Sequence, residues 1–342
     1  MKPPDATSAP DAAALTRFRR DFERALGRPV DRQEHVAIAV SGGPDSMALL
    51  ALAASSFPGR THAATVDHRL RPDAAAEARM VGDWCTGRGI SHAVLVPSGD
   101  LSAQPSALQE RARHARYALL ESWAEAIGAG ILATAHQADD QAETFLMRAL
   151  RGAGVAGLRG IPARRDAFTL AEPARLQIVR PLLNWRRHEL LNVVRDGGIP
   201  YVDDPSNADQ RFERVRIRSA LTEQAWLDPA ALASAAAHAA EADAALDWTV
   251  ERLWRERASG DPEPVLDVGG LPMELRRRLA RYAILHVRSR AGITSPAFGT
   301  DANIEPLLAA LTADGAATRA GILVRAKGDR WTFRPAPPRR SH

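Results

Sequence analysis

From His35 to Leu150 the chain writes one pattern four times over: a short apolar run, a polar turn, then a longer helical stretch. The apolar runs are VAIAV at 36–40, HAATVD at 62–67, HAVLV at 92–96 and ILATA at 131–135. The stretches after them predict helices over Met47–Ala54, Asp73–Thr86, Ser106–Ile127 and Asp139–Leu150. Short strands alternating with helices require crossover connections, so the expected fold is α/β, a doubly wound parallel sheet covered on both faces. Ligands bind beyond the carboxyl ends of the strands in such sheets. The residues there are Ser41 to Ser46, Asp67 with His68, and His136 to Asp140, which are expected on one rim.

The flanks read differently. Residues 1 to about 14 are rich in Pro, Ala, Asp and Ser and predict a disordered tail before a short helix, Ala14–Leu26. After RGAGVAGLRG at 151–160 come QIVRPLL, a helical NWRRHELLNVVRDGG and YVDDPSNADQRFERVRIRSAL. Near residue 225 the composition shifts to an alanine-rich helix, followed by helices from Met273 and Ile304 and a terminal strand pair in GILVRAKGDRWTFRP. The expected organisation is a tail and leading helix (1–32), a catalytic α/β domain (33–225) and a smaller, mainly helical C-terminal domain (226–342).

Composition narrows the chemistry. The single cysteine, Cys85, excludes an intrachain disulfide and any pair of thiols working together. Only Lys2 and Lys327 are lysines, so almost every positive charge is arginine, and a lysine nucleophile or Schiff base carried by the chain is not expected. Phosphate contacts must come from arginine, backbone N–H groups and metal ions. The net charge of +4 is too small to argue for nucleic acid by itself. No apolar run reaches the roughly eighteen residues of a membrane span, and MKPPDATSAPDAAA lacks the layout of a secretory signal, so a cytoplasmic protein is expected.

The turn after the first strand, Ser41-Gly42-Gly43-Pro44-Asp45-Ser46, carries the sharpest signal. Adjacent glycines let the backbone close around an anion, and the N–H groups of Gly42, Gly43 and Ser46, with the Ser41 and Ser46 hydroxyls, can donate to phosphate. The lysine of a G-x-x-x-x-G-K-[ST] loop is absent, which argues against transfer of the terminal phosphate. Asp45 inside such a loop would repel phosphate unless it binds Mg²⁺ or serves as a hydrogen-bond acceptor, and Mg²⁺ bridging Asp45 and the polyphosphate is expected. The bland alternative is a strand-to-helix turn with Asp45 or Ser46 near the helix cap.

On the fourth rim segment, Asp139 and Glu143 are four apart and share a helix face, with Asp140 on the next. Three carboxylates there suit metal binding or proton handling, or simply decorate a helix N-terminus. Asp67 can hold a ribose hydroxyl or the adenine edge, Arg71 can meet phosphate or RNA, and Arg113 and Arg116 sit on neighbouring turns.

Together SGGPDS at 41, DHRLR at 67, ARHARY at 112, HQADDQAET at 136 and RGAGVAGL at 151, with RPLL at 180 and DDPSN at 203, resemble the tRNA(Ile)-lysidine synthetase family. That family belongs to the PP-loop ATP pyrophosphatase superfamily, with a Rossmann-like sheet, and the resemblance covers about residues 33 to 222. It implies binding of ATP and Mg²⁺, adenylation of the C2 oxygen of the wobble cytidine of a CAU-anticodon tRNA(Ile), and displacement of AMP by free L-lysine. It assigns ATP to Ser41, Gly42, Gly43, Pro44, Asp45, Ser46 and Asp67, with Mg²⁺ on Asp45. The catalytic set is Asp45, Arg113, His136, Asp139 and Glu143, the last two taking the lysine ammonium. Lysine and tRNA contacts fall to Asp140, Arg71, Arg148, Arg151, Arg214 and Arg218.

One departure stands out: Val215 occupies a position where many members carry asparagine, in Glu213-Arg214-Val215-Arg216-Ile217-Arg218. The C-terminal region offers basic stretches, Arg252 with Arg255 and Arg276-Arg277-Arg278, that suit either a tRNA backbone or a solvated helix face. A PP-loop sulfurtransferase, an amide-forming synthetase and a non-catalytic tRNA-binding module remain as alternatives, and a homodimer is one option for assembly.

Overall fold

The structure is a computed structural model, which describes residues 9–69, 73–97, 108–166, 176–203, 213–299 and 302–337. The chain divides into two compact units, residues 1–152 with 160–237, and residues 153–159 with 238–342.

In the first unit the elements run α1 (Ala12–Leu26), β1 (Val36–Ala39), α2 (Pro44–Ser56), β2 (Thr61–Val66), α3 (Ala74–Thr86), β3 (Ser91–Leu95), α4 (Leu108–Ala126), β4 (Ile131–Ala133) and α5 (Ala138–Leu150). After α6 (Val155–Leu158), which belongs to the second unit, come β5 (Arg164–Asp166), β6 (Gln177–Val179), α7 (Arg187–Asp196) and α8 (Glu213–Glu223). The expected strand-helix alternation is present with its strands in one sheet, ordered β3-β2-β1-β4-β6-β5. Every neighbouring pair is parallel except β5 with β6.

The sheet separates two apolar layers. Leu49, Leu50 and Leu52 of α2 pack with Phe18, Phe22 and Leu26 of α1, Val81 and Trp84 of α3 and Leu190 and Val194 of α7. Tyr117, Leu120 and Ala124 of α4 cluster with Leu132 and Ile178. Helix α1 is therefore part of this core: it starts on an Asp11 cap, ends on Gly27 in the left-handed region, and sends its aromatic stripe against Phe57. Because β2 and β3 extend from one side of β1 while β4 lies on the other, the crossovers diverge between β1 and β4 and leave a crevice at their carboxyl ends. SGGPDS and HQADDQAET emerge at that crevice.

The second unit contains the larger part of α9 (Pro229–Arg257), then β7 (Ala258–Ser259), β8 (Val265–Asp267), α10 (Met273–Arg290), α11 (Glu305–Thr312), β9 (Ala316–Arg319), β10 (Ile322–Lys327) and β11 (Arg330–Pro335). The expected helices are present but hold fewer than half of its residues, so the unit is mixed helix and sheet and not mainly helical, and the terminal strand pair is the β10–β11 hairpin. The sequence reading missed the rest of a five-stranded antiparallel sheet, β7-β8-β11-β10-β9, whose other strands are too short to show a period. Ile322, Val324, Trp331 and Phe333 alternate inward onto Leu279, Ile284 and Leu308. Among the described residues no helix is long and apolar enough to cross a membrane.

Candidate active site

The SGGPDS turn links β1 to α2. Gly42 has φ +86°, a conformation that a side chain strains, and its carbonyl accepts a hydrogen bond from Val202 N–H at 2.9 Å. Gly43 is the extended residue before the helix and Pro44 its first residue, where the missing N–H costs nothing. Ser46 closes the turn from inside: its hydroxyl donates to Gly43 O at 2.9 Å and accepts from Ser41 N–H at 3.1 Å. The loop is thus preformed by its own serines.

Asp45 points into the crevice from the first turn of α2. Its Oδ1 is buried without a hydrogen bond of normal geometry. Burial pushes its carboxyl up to about 6, against the pull of the Arg187 guanidinium, and the neighbouring Asp140 adds to the rise. A buried carboxyl oxygen with no hydrogen-bond partner is a hard donor whose chemistry fits Mg²⁺.

Helix α5 is started by its own sequence. The Gln137 side chain accepts from Asp139 N–H at 2.5 Å and Asp140 Oδ2 accepts from Gln137 N–H at 3.1 Å. That reciprocal cap turns the three acids apart. Asp139 is gripped by Arg186, through Nε at 3.2 Å and Nη2 at 3.1 Å, and accepts the backbone N–H of Arg187 at 2.8 Å, which holds its carboxyl below the usual range despite burial. Asp140 and Glu143 share Arg214 instead, Nη2 reaching Asp140 Oδ1 at 2.8 Å and Nε reaching Glu143 Oε2 at 2.6 Å. Arg218, one turn along α8, adds Nε to Glu143 Oε1 at 2.7 Å.

The structure therefore groups Glu143 with Asp140, where helical spacing alone had grouped it with Asp139. The metal-binding reading of the three acids is also not met: among the described residues no group of three or more His, Cys, Asp or Glu converges to hold a metal. Arginines occupy their oxygens. Glu143 is almost fully buried, so it needs these partners.

His136 lies at the start of the same segment. Its Nδ1 is 3.0 Å from Thr134 Oγ1, and burial, reinforced by Arg180, Arg113, Arg214 and Arg116, pushes its pKa down to about 3. It is a neutral imidazole at any physiological pH. Arg113 and Arg165 both lie over the Tyr117 ring, at 5.2 and 4.5 Å from its centroid. Asp67 follows β2, its N–H donating to Leu95 O at 2.9 Å and its Oδ1 accepting from Arg69 N–H at 2.8 Å.

Two of the expected contacts lie apart from this cluster, and a third is not among the described residues. Arg148 donates to Gly160 O at 2.9 Å, Arg151 pairs with Glu213, and Arg71 falls outside the described residues. Val215 is half-buried on α8 between Arg214 and Arg218 and offers no polar atom. Gln141 exchanges two hydrogen bonds with the Ile161 backbone, at 2.6 and 2.8 Å, and a Cβ on Gly160 would sit 2.2 Å from its Oε1. That close approach ties the end of the glycine-rich segment to α5. Sequence reasoning missed Arg186 and Arg187; the available signal was R-x-E at Arg187 to Glu189, where Glu189 caps α7 by accepting from Arg186 N–H at 2.7 Å.

Cys85 is fully buried in the α3 core, which pushes its thiol up to about 11.

A PP-loop domain family matches residues 14–225. A tRNA(Ile)-lysidine synthase from Novosphingobium aromaticivorans is 45% identical over 96% of each chain, and one from Zymomonas mobilis is 37% identical over 95% of each. Among solved structures, a U34-tRNA thiolase from Methanococcus maripaludis superposes with a TM-score of 0.52 at 16% identity, over 67% of this chain and 79% of that one, a similarity of fold. Relatives that span both units, and rim motifs gathered where the crossovers diverge, lead to one conclusion: this chain belongs to the tRNA(Ile)-lysidine synthase family of PP-loop proteins.

Proposed function

We propose that the protein joins free L-lysine to C2 of the wobble cytidine of CAU-anticodon tRNA(Ile), using ATP and forming lysidine, AMP and diphosphate. The observation that carries this reading is a carboxylate pair, Asp140 with the buried Glu143, beside a phosphate loop that contains neither lysine nor cysteine. Cys85 is sealed in the core with a raised pKa, and Lys327 lies on β10 of the other unit. The sealed Cys85 argues against a sulfur-transferring alternative, and free lysine supplies the attacking amine.

In the first step the cytidine O2 attacks the α-phosphorus; the new O–P bond forms as the bond to the diphosphate breaks, and the electron pair leaves with diphosphate. The N–H groups of Gly42, Gly43 and Ser46, with the Ser41 hydroxyl, hold the phosphates, and Asp67 lies toward the nucleoside. Mg²⁺, held by Asp45, would neutralise polyphosphate charge when bound. Arg113 stabilises charge on the adenylated cytidine, while the neutral His136 lies beside nucleotide or lysine.

In the second step lysine attacks C2, AMP departs with the C2 oxygen, and the ammonium gives up two protons, one to the Glu143 carboxylate before attack and one to water as the C–N bond forms. Asp140 and Glu143 take the lysine ammonium, displacing Arg214 and Arg218, which then face tRNA phosphates. Asp139, committed to Arg186 and α7, positions the second wall of the site. Arg71, Arg148, Arg151 and residues 226–342 are proposed to contact tRNA, in a cytoplasmic protein that works as a monomer or homodimer.

The test supplies labelled lysine, ATP and CAU-anticodon tRNA(Ile) to the full chain. Label in the tRNA, with one AMP per lysine, supports the reading; ATP cleavage with no label in tRNA defeats it.

A further inference from the structure

The loop lacks a lysine, yet diphosphate must leave it carrying negative charge. Among the described residues four arginines reach the rim carboxylates, and three are hydrogen-bonded to them. Arg186 is clamped on both oxygens of Asp139, and Arg214 and Arg218 are hydrogen-bonded to Asp140 and Glu143. Arg187 differs. Its guanidinium lies 3.9 Å from Asp45, 3.8 Å from Asp140 and 3.5 Å from Glu143, and among the described residues it closes no hydrogen bond with any of them.

Its base is fixed while its head is loose. The residue is the first of α7, its backbone N–H is held by Asp139 at 2.8 Å, and Leu190 and Val194 of the same helix are sealed against α2. The side chain is 33% exposed, so the guanidinium can turn about a secured Cα.

We propose that Arg187 is the phosphate-facing cation of the ATP site, carried on α7 in place of the lysine the loop lacks. This rests on the function proposed above. With phosphates over the loop, the planar fork beside Asp45 meets two oxygens of the diphosphate and takes up the charge that arrives as the bond to the α-phosphorus breaks. Asp139, by fixing the Arg187 backbone, becomes a positioning residue for ATP chemistry. Arg187 therefore acts in adenylation, not in capture of lysine.

The full chain and its Arg187→Met and Arg187→Lys variants are given ATP and CAU-anticodon tRNA(Ile) without lysine, and diphosphate release is followed over a single turnover. The expected result is release slowed about a hundredfold in Arg187→Met, as for loss of one charge-stabilising donor. Arg187→Lys, which restores a point charge without the fork, is expected to recover about tenfold of that loss. The KM for lysine in complete turnover stays near the wild-type value. Release at the wild-type rate in Arg187→Met, or a raised lysine KM with release unchanged, overturns the assignment. If Arg187→Met does not fold, Arg187→Lys decides: slowed release supports the proposal and a wild-type rate rejects it. A wild-type protein that releases no diphosphate with this tRNA overturns the function and not Arg187 alone.

Discussion

Both units bury arginine against carboxylate, and they do so in opposite ways. In the second unit Arg278, 8% exposed, is surrounded: Nη2 donates to Asp243 at 2.5 Å, Nη1 to Asp247 at 2.6 Å and Nε to Glu274 at 2.9 Å. Burial works against its charge, yet those three hydrogen bonds more than reverse the effect and hold its pKa above the ordinary value. Arg159 completes Asp243 from the other side at 2.8 Å. At the rim the buried partner is the acid, Glu143, and the arginines around it are partly open to solvent. Asp45 beside them keeps an oxygen without a bond. A cluster that occupies every nitrogen of its guanidinium is closed and structural; one that leaves charge uncommitted can exchange partners with a substrate.

The largest effect expected from breaking the rim is at Asp45. Asp45→Asn should lower lysidine formation about a thousandfold in a steady-state assay. Stability should move the other way. The folded carboxyl titrates near 6, above its ordinary 3.8, so ionisation opposes folding above pH 6 and the penalty fades as pH falls toward 4. The amide removes that term and stabilises the fold by up to about 3 kcal/mol at pH 8, with no gain at pH 4, in denaturant titrations. A destabilised Asn variant at pH 8 would contradict the raised pKa.

Glu143→Gln comes next, because it removes the acid shared by Arg214, Arg218 and Arg187. The KM for lysine should rise about a hundredfold. Diphosphate release without lysine should change little, and the reverse pattern would place Glu143 in adenylation.

The comparison itself is tested by pairing Arg278→Ala with Arg218→Ala. Loss of Arg278 leaves the buried Asp243 with Arg159 alone, takes away the shared partner of Glu274 and Asp247 as well, and should cost about 3 kcal/mol in chemical denaturation. Loss of Arg218 leaves Glu143 with Arg214 and should cost about 1 kcal/mol or less. Equal costs would mean the rim is as closed as the structural cluster. The smallest effect is at Cys85: Cys85→Ala should lower stability by about 1 kcal/mol and leave lysidine formation unchanged. A lost activity there would revive sulfur chemistry.

How much of this was legible follows from the range of each interaction. The alternation of apolar strands with helices is local, and it announced the sheet, the rim and the phosphate loop. Gln137 and Asp140 cap a helix within four residues, a span that sequence can be read over. The role of Arg276-Arg277-Arg278 was not legible, because solvated and buried faces look alike in a charged run. Arg276 donates to Leu271 O at 2.8 Å, Arg277 pairs with Glu274 and Glu305, and Arg278 is in the buried cluster, so these three serve the unit's own fold. The short strands β7, β8 and β9 were illegible for another reason, since runs of two to four residues gain their identity from the neighbours they pair with.

The sequence by itself determined the parallel sheet, the preformed loop and the presence of three acids at a helix start, because each depends on spacing within one or two turns of chain. Tertiary structure alone decided which acid meets which arginine. Asp139 and Arg186 lie 47 residues apart, and Glu143 and Arg218 lie 75 apart. Only the docking of α7 and α8 on the rim brings them together, and with them Arg187, which among the described residues reaches the rim acids through longer ion pairs only. Charge pairing acts through a few ångströms of space, so the lysine missing from the loop had to be sought on another helix.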